Sequence, residues 1–189
     1  MGLKPPSYVS RAHQCDIRQG FSVVELMVIL LIVGILLAVG IPAFHGMVQG
    51  QRLTTSANAL FMAVNMTRSE AIKRDARVDL VPAGDGRDWR NGWVIFIDED
   101  NDQRPDIDEK IIFSHDALDP QMQITARFTD SKVQYIAYTG SGRSRTNTSN
   151  QTAQAGSWLL ELGAHSRKIV INFLGRPRIC DPHKTPATC

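Results

Sequence analysis

The sequence predicts an α+β protein, in which a long N-terminal α-helix, transmembrane in its first half, packs on an antiparallel β-sheet head. Three observations predict it. From Phe21 to Ile41 the chain reads FSVVELMVILLIVGILLAVGI, an apolar run with one charge, Glu25. Beyond it Leu53, Ala57, Leu60, Phe61, Val64, Ala71 and Ile72 recur at helical spacing, with Arg52, Arg68, Glu70, Lys73 and Arg74 filling the other face. After Arg77, short β-rich apolar stretches alternate with polar, glycine-containing turns.

About 20 apolar residues cross a bilayer core, so 21–41 is expected to span a membrane. A secretory signal has a shorter apolar run followed by a small-residue cleavage site, whereas Arg18, Gln19 and Gly20 directly precede this one. Lys4, Arg11 and Arg18 hold the N-terminal side in the cytoplasm, which turns the rest of the chain outward. Glu25 is the costly residue, since a carboxylate inside a bilayer costs on the order of 2.5 to 3.5 kcal/mol. It must snorkel to the headgroups or meet a partner.

The amphipathic pattern continues the helix through 42–77. From Phe21 to Arg77 it would reach roughly 85 Å at 1.5 Å per residue. The head, 78–189, holds seven expected strands: Val78 to Val81, Trp93 to Ile97, Lys110 to Ser114, Ile124 to Phe128, Val133 to Tyr138, Ser157 to Leu162 and Lys168 to Phe173. The polar stretch from Gly140 to Gly156 reads as a mobile surface loop.

The string RQG followed by FSVVE resembles the class III signal of type IV prepilins and type II secretion pseudopilins. The resemblance implies that 1–20 is a leader, that a prepilin peptidase cuts between Gly20 and Phe21, and that it methylates the new amine of Phe21. It also implies that Glu25 neutralises the terminal amine of a neighbouring subunit in a filament, and that Pro42 is a helix-kinking proline. The implied location is the inner membrane with a periplasmic head, then a pilus or pseudopilus.

Cleavage changes the chemistry of the chain. Its formal net charge of +2 lies wholly in the leader, where Lys4, Arg11 and Arg18 outnumber Asp16. The remainder is neutral, so no global field steers a polyanion and any nucleic-acid site must be a local patch. Cys15 leaves with the leader, and Cys180 and Cys189 remain as a pair suited to a short disulfide loop outside the cytosol.

The segments GWVIFIDEDNDQRPDIDEKIIF, TGSGRSR and INFLGRPRIC, in that order, resemble the head of the GspH/FimT group of minor pilins and minor pseudopilins. Two candidate sites lie in them. Asp98, Asp100, Asp102, Asp106 and Glu109 have the carboxylate spacing of a calcium loop, although Gln103 stands where such a loop wants glycine and the flanks read as strands. The other reading is a solvated acidic hairpin turn, so no cofactor is expected unless calcium binds. The second site is basic. Arg176 and Arg178 share a face if the segment is extended, with Arg167, Lys168 and Lys184 nearby in sequence and Arg143 and Arg145 as a second such pair.

The string GRPR is similar to a motif with which FimT-like minor pilins bind DNA for uptake in natural transformation, which nominates Arg176 and Arg178. His115, His165 and His183 sit in no nucleophile or metal frame, so an enzyme is not expected. The expected function is that of a minor pilin, with other pilins, prepilin peptidase, the inner membrane and double-stranded DNA as partners. The competing reading is a GspH-like minor pseudopilin of a type II secretion system without DNA binding.

Overall fold

The structure, a computed structural model, describes residues 20–149 and 151–189. The expected leader up to Gln19, with its basic residues and Cys15, lies outside the described residues. The described chain contains one long helix, α1 (Val23–Arg74), followed by β1 (Val78–Pro82), β2 (Trp93–Ile97), β3 (Ile111–His115), β4 (Gln123–Phe128), β5 (Ile136–Tyr138), β6 (Ser144–Arg145), β7 (Gly156–Leu162), β8 (His165–Ile171) and β9 (Pro177–Cys180). By contacts it forms two units, one ending at Pro42 and one beginning at Ala43.

In the first unit every described residue from Gly20 on is exposed, and the helix is long and apolar enough to cross a membrane. Ser22 starts it. The Ser22 carbonyl accepts from Leu26 N at 3.1 Å, and its hydroxyl accepts from Glu25 N at 3.3 Å, satisfying one of the orphan donors of the first turn. Pro42 lies inside α1, which stays helical on both sides of it.

In the second unit α1 buries Leu53, Ala57, Leu60, Val64, Thr67 and Ala71, a stripe advancing by alternate steps of four and three residues. Phe61 and Ile72, expected on that stripe, fall beside it: Phe61 is partly buried and Ile72 is exposed. The helix ends three residues earlier than expected. Asp75 adopts a positive φ of 49°, and Ala76 N donates to Ala71 O at 3.3 Å, the 6→1 bond that closes a helix end. A Cβ on Gly140 would stand 2.1 Å from Asp75 Oδ1, so only glycine lets the chain pass this terminus.

All strand pairs are antiparallel, but they form two sheets rather than one: β3-β2-β1-β5-β6 and β4-β7-β8-β9. One core joins them to α1, with Leu80, Trp93, Ile95 and Tyr138 from the first sheet and Trp158, Leu160 and Ile169 from the second. Trp158 ties the core together, meeting Trp89 at 5.1 Å and Phe128 at 4.8 Å, both edge-on. His165 Nε2 lies 2.9 Å from Gly46 O and fastens the start of β8 to α1.

The opposite face of the first sheet is also covered, since Val81, Phe96, Tyr135 and Ala137 form a second apolar cluster. This corrects the reading of 140–156 as a mobile surface loop. Ser144, Thr146 and Gln154 are buried, and the Gln154 amide binds Asp130 N at 2.9 Å, Asp130 O at 3.2 Å and Tyr135 O at 3.3 Å. Gln154 and Thr146 cover this core with their side-chain hydrogen bonds made, whereas the buried Ser144 hydroxyl has no partner among the described residues.

Candidate nucleic-acid interface and acidic loop

The basic residues nominated from the sequence divide into two groups. Arg167 Nη1 binds Asp181 Oδ2 at 2.7 Å, and Lys168 Nζ binds Cys189 O at 3.1 Å, so both hold the C-terminal tail. Against its partial desolvation, the N–H groups of His183 and Lys184 and the Arg167 cation keep the Asp181 carboxyl below its usual range. The tail is closed by the Cys180–Cys189 disulfide, with Cα atoms 5.8 Å apart.

The second group is Arg143, Arg145, Arg176 and Arg178. On β9, Pro177 and Ile179 face Ile171 and Ile169, while Arg178 faces Val170 on the other side. Arg176 and Arg178 are both exposed. The β8–β9 turn then brings the second pair to the first. Gly175 has φ 72°, and a Cβ there would stand 2.8 Å from Ser144 N and from Tyr138 Cε1. Tyr138 donates its hydroxyl to Gly175 O at 2.7 Å, and burial raises the pKa of that phenol, so the donor stays protonated. Ser144 lies between Arg143 and Arg145, so the backbone segments that carry the two arginine pairs touch here, while Arg145 itself pairs with Ala137, on the face of the sheet away from Tyr138. Arg68 of α1 joins them, since a Cβ on Gly142 would stand 3.4 Å from Arg68 Nε. Sequence reasoning placed Arg68 only on a solvated helix face. Among the described residues no carboxylate stands at ion-pair distance from these five arginines.

The acidic loop is more ordered than its spacing implied. Asp98, Asp100 and Asp102 bring one carboxylate oxygen each within 4.8 Å of one another, and Asp106 and Glu109 do not join that group. Glu109 instead accepts from Glu99 N at 2.8 Å and Asp106 N at 3.2 Å, closing the loop at its base. Asp98 accepts from Asn101 N at 2.7 Å, Asp100 from Asp102 N at 3.1 Å and Asp102 from Arg104 N at 2.7 Å. These are the local side-chain to backbone bonds of an acidic turn.

Behind the loop lies a buried ionic group that sequence reasoning missed. Arg77 binds Asp79 through Nε and Nη2 at 2.9 and 3.0 Å, and its Nε also stands 3.3 Å from Asp98 Oδ2. Two buried carboxylates thus share one guanidinium. Burial pushes the Asp79 carboxyl up to about 8, outweighing the pull of Arg77, with Asp98 adding to the rise. The signal in the sequence was the aspartate inside the apolar strand VDLVP.

A single N-terminal helix, apolar and then amphipathic, carrying antiparallel sheets and a C-terminal disulfide loop defines a pilin-like protein. The chain belongs to the GspH family, type II transport protein GspH, whose family model matches residues 56–175. It is 31% identical over 100 residues to the pilin-like protein PilA1 of Thermus thermophilus, a match spanning 52% of this chain and 60% of that relative. The chain therefore spans less than two thirds of that relative's length. Its fold is similar to the type IV minor pilin FimU of Pseudomonas aeruginosa, with a TM-score of 0.56 at 17% identity, covering 71% of this chain and 92% of that one. It is also similar to the minor pseudopilin EpsH from the type 2 secretion system of Vibrio cholerae, with a TM-score of 0.51 at 10% identity over 70% and 99% of the two chains. At these identities the two solved structures speak for the fold.

Proposed function

We propose that this chain is a minor pilin of a type IV pilus whose head binds double-stranded DNA without sequence preference, for uptake in natural transformation. In this reading prepilin peptidase cuts between Gly20 and Phe21 and methylates Phe21. The segment 21–41 holds the subunit in the inner membrane until it joins other pilins. Glu25 suits the assembly role: its backbone N–H is capped by Ser22, while its carboxylate accepts no hydrogen bond from the described residues and is free to meet a neighbour's amine.

The observation that carries the DNA reading is that Gly175 packs on Ser144, which brings together the segments bearing Arg143, Arg145, Arg176 and Arg178, and that among the described residues none of these arginines has a carboxylate at ion-pair distance. On a head in which 15 acidic residues outnumber 13 basic ones such a patch makes few phosphate contacts, so binding is weak singly and gains from avidity along a filament. The test is fluorescence anisotropy of the full chain in detergent micelles with duplex DNA over a salt series. The expected log-log slope is about −2 to −3. The double variant Arg176→Ala/Arg178→Ala should weaken binding about tenfold at low salt and flatten the slope by about 1 to 2. Equal binding by variant and wild type overturns the reading.

A second reading, a minor pseudopilin of a type II secretion system without DNA binding, is favoured by the family description and the likeness to EpsH. A deletion strain separates the two: loss of piliation supports the pilus, and loss of protein secretion with piliation intact supports the pseudopilus.

A further inference from the structure

We infer that the turn between β8 and β9 carries a nucleobase-stacking site centred on Phe173, so that the head binds unpaired DNA more tightly than closed duplex. The inference rests on the reading that Arg176 and Arg178 bind DNA phosphates.

Among the described residues Phe173 is the most exposed aromatic of the head, ahead of Phe113 on β3. Trp89, Trp93, Phe96, Tyr135, Tyr138 and Trp158 are all buried, yet Phe173 is 76% exposed and its neighbour Leu174 is 50% exposed. The turn that presents them is tightly held. Asn172 Oδ1 accepts from both Leu174 N and Arg176 N at 3.0 Å, Gly175 N donates to Asn172 O at 2.9 Å, and Tyr138 grips Gly175 from the first sheet. An exposed aromatic on a fixed turn gives up little conformational freedom when it binds a partner.

Its surroundings select the partner. Phe173 borders a depression of about 390 Å³, within the size range of small-ligand pockets, together with Gly156, Lys168, Val170 and Asn172. The walls are largely apolar. Arg178 stands opposite Val170, which lines the depression, and Arg176 directly follows the turn, and among the described residues neither arginine has a carboxylate at ion-pair distance. A flat apolar group joined to anions fits that pattern, and an unpaired nucleobase between phosphates is such a group. Proteins that hold single strands combine a cationic track with an aromatic platform in the same way. In a closed duplex the base faces are stacked on one another, so a duplex can use only the arginines.

The full chain in detergent micelles is titrated, by anisotropy, with single-stranded and blunt duplex oligonucleotides of equal length. Wild type should bind the single strand more tightly. Phe173→Ala should weaken single-strand binding about tenfold and leave duplex binding and the salt slope unchanged, because stacking contributes apart from phosphate contacts. Phe173→Trp should restore single-strand binding. The inference is overturned if wild type prefers duplex, if Phe173→Ala binds the single strand like wild type, or if it weakens both forms equally. Arg176→Ala/Arg178→Ala should weaken both forms. If Phe173→Ala has no effect while the arginine variant loses DNA, the stacking site alone fails; if the arginine variant also binds both forms normally, the DNA reading fails with it.

Discussion

Replacing Asp79 by asparagine tests the buried charge behind the acidic loop. Arg77 holds Asp79 in a bidentate pair and also faces Asp98, so the group has two acids for one guanidinium. Burial raises the Asp79 carboxyl from 3.8 to about 8. In the unfolded chain the same acid ionises near pH 4, roughly its unperturbed value. Its stabilising contribution is therefore complete below about pH 4 and is lost as pH rises to about 8, because the folded protein retains a proton that the unfolded chain has released. The slope within that window approaches about 1.4 kcal/mol per pH unit, several kcal/mol in all. Asp79→Asn cannot titrate and leaves Arg77 with Asp98 as a balanced pair, so its stability should lack this decline. Urea unfolding of the full chain in detergent micelles measures it. Trp89, Trp93 and Trp158 are all buried in the head and report its unfolding by fluorescence. A difference between wild type and variant that stays constant from about pH 5 to pH 8 refutes the assignment of a shared, proton-holding site.

The remaining expectations use the same preparation. The double variant Cys180→Ser/Cys189→Ser should lose about 2.5 kcal/mol, the loop-entropy value for so short a ring, and an unchanged urea midpoint would contradict a stabilising role for the disulfide. Calcium bound by Asp98, Asp100 and Asp102 would raise the thermal midpoint of the head at millimolar concentration, and Asp100→Asn would remove the rise. A midpoint that calcium does not move leaves the loop as an acidic turn held by its own backbone bonds.

The strands illustrate where sequence reading succeeds and stops. All seven predicted from apolar stretches are present, Trp93–Ile97 with both ends as predicted and the others with at least one end moved by one to three residues. The two it missed, β6 and β9, are the two-residue SR and the four-residue PRIC, too short to show an alternating pattern. They are strands because β5 and β8 pair with them. Gln154 looked like a loop residue because composition cannot reveal that a polar side chain will be buried with its hydrogen bonds satisfied.

The candidate site was legible in the same partial way. GRPR and GRSR each announced a pair of arginines, and the alternation along an extended chain placed Arg176 and Arg178 on one side. Nothing local revealed that Arg167 would be paired with Asp181, that Arg68 would join from the helix, or that Gly175 would press against Ser144.

The long apolar helix and the strand-bearing head could be read from residue order alone, because bilayer length, helical period and strand alternation are properties of neighbouring residues. The division into two sheets, the contact between the two arginine-bearing segments, the exposed Phe173 and the shared guanidinium of Arg77 could not. Each depends on which distant segments pack together, and that choice is made by the burial of the whole core.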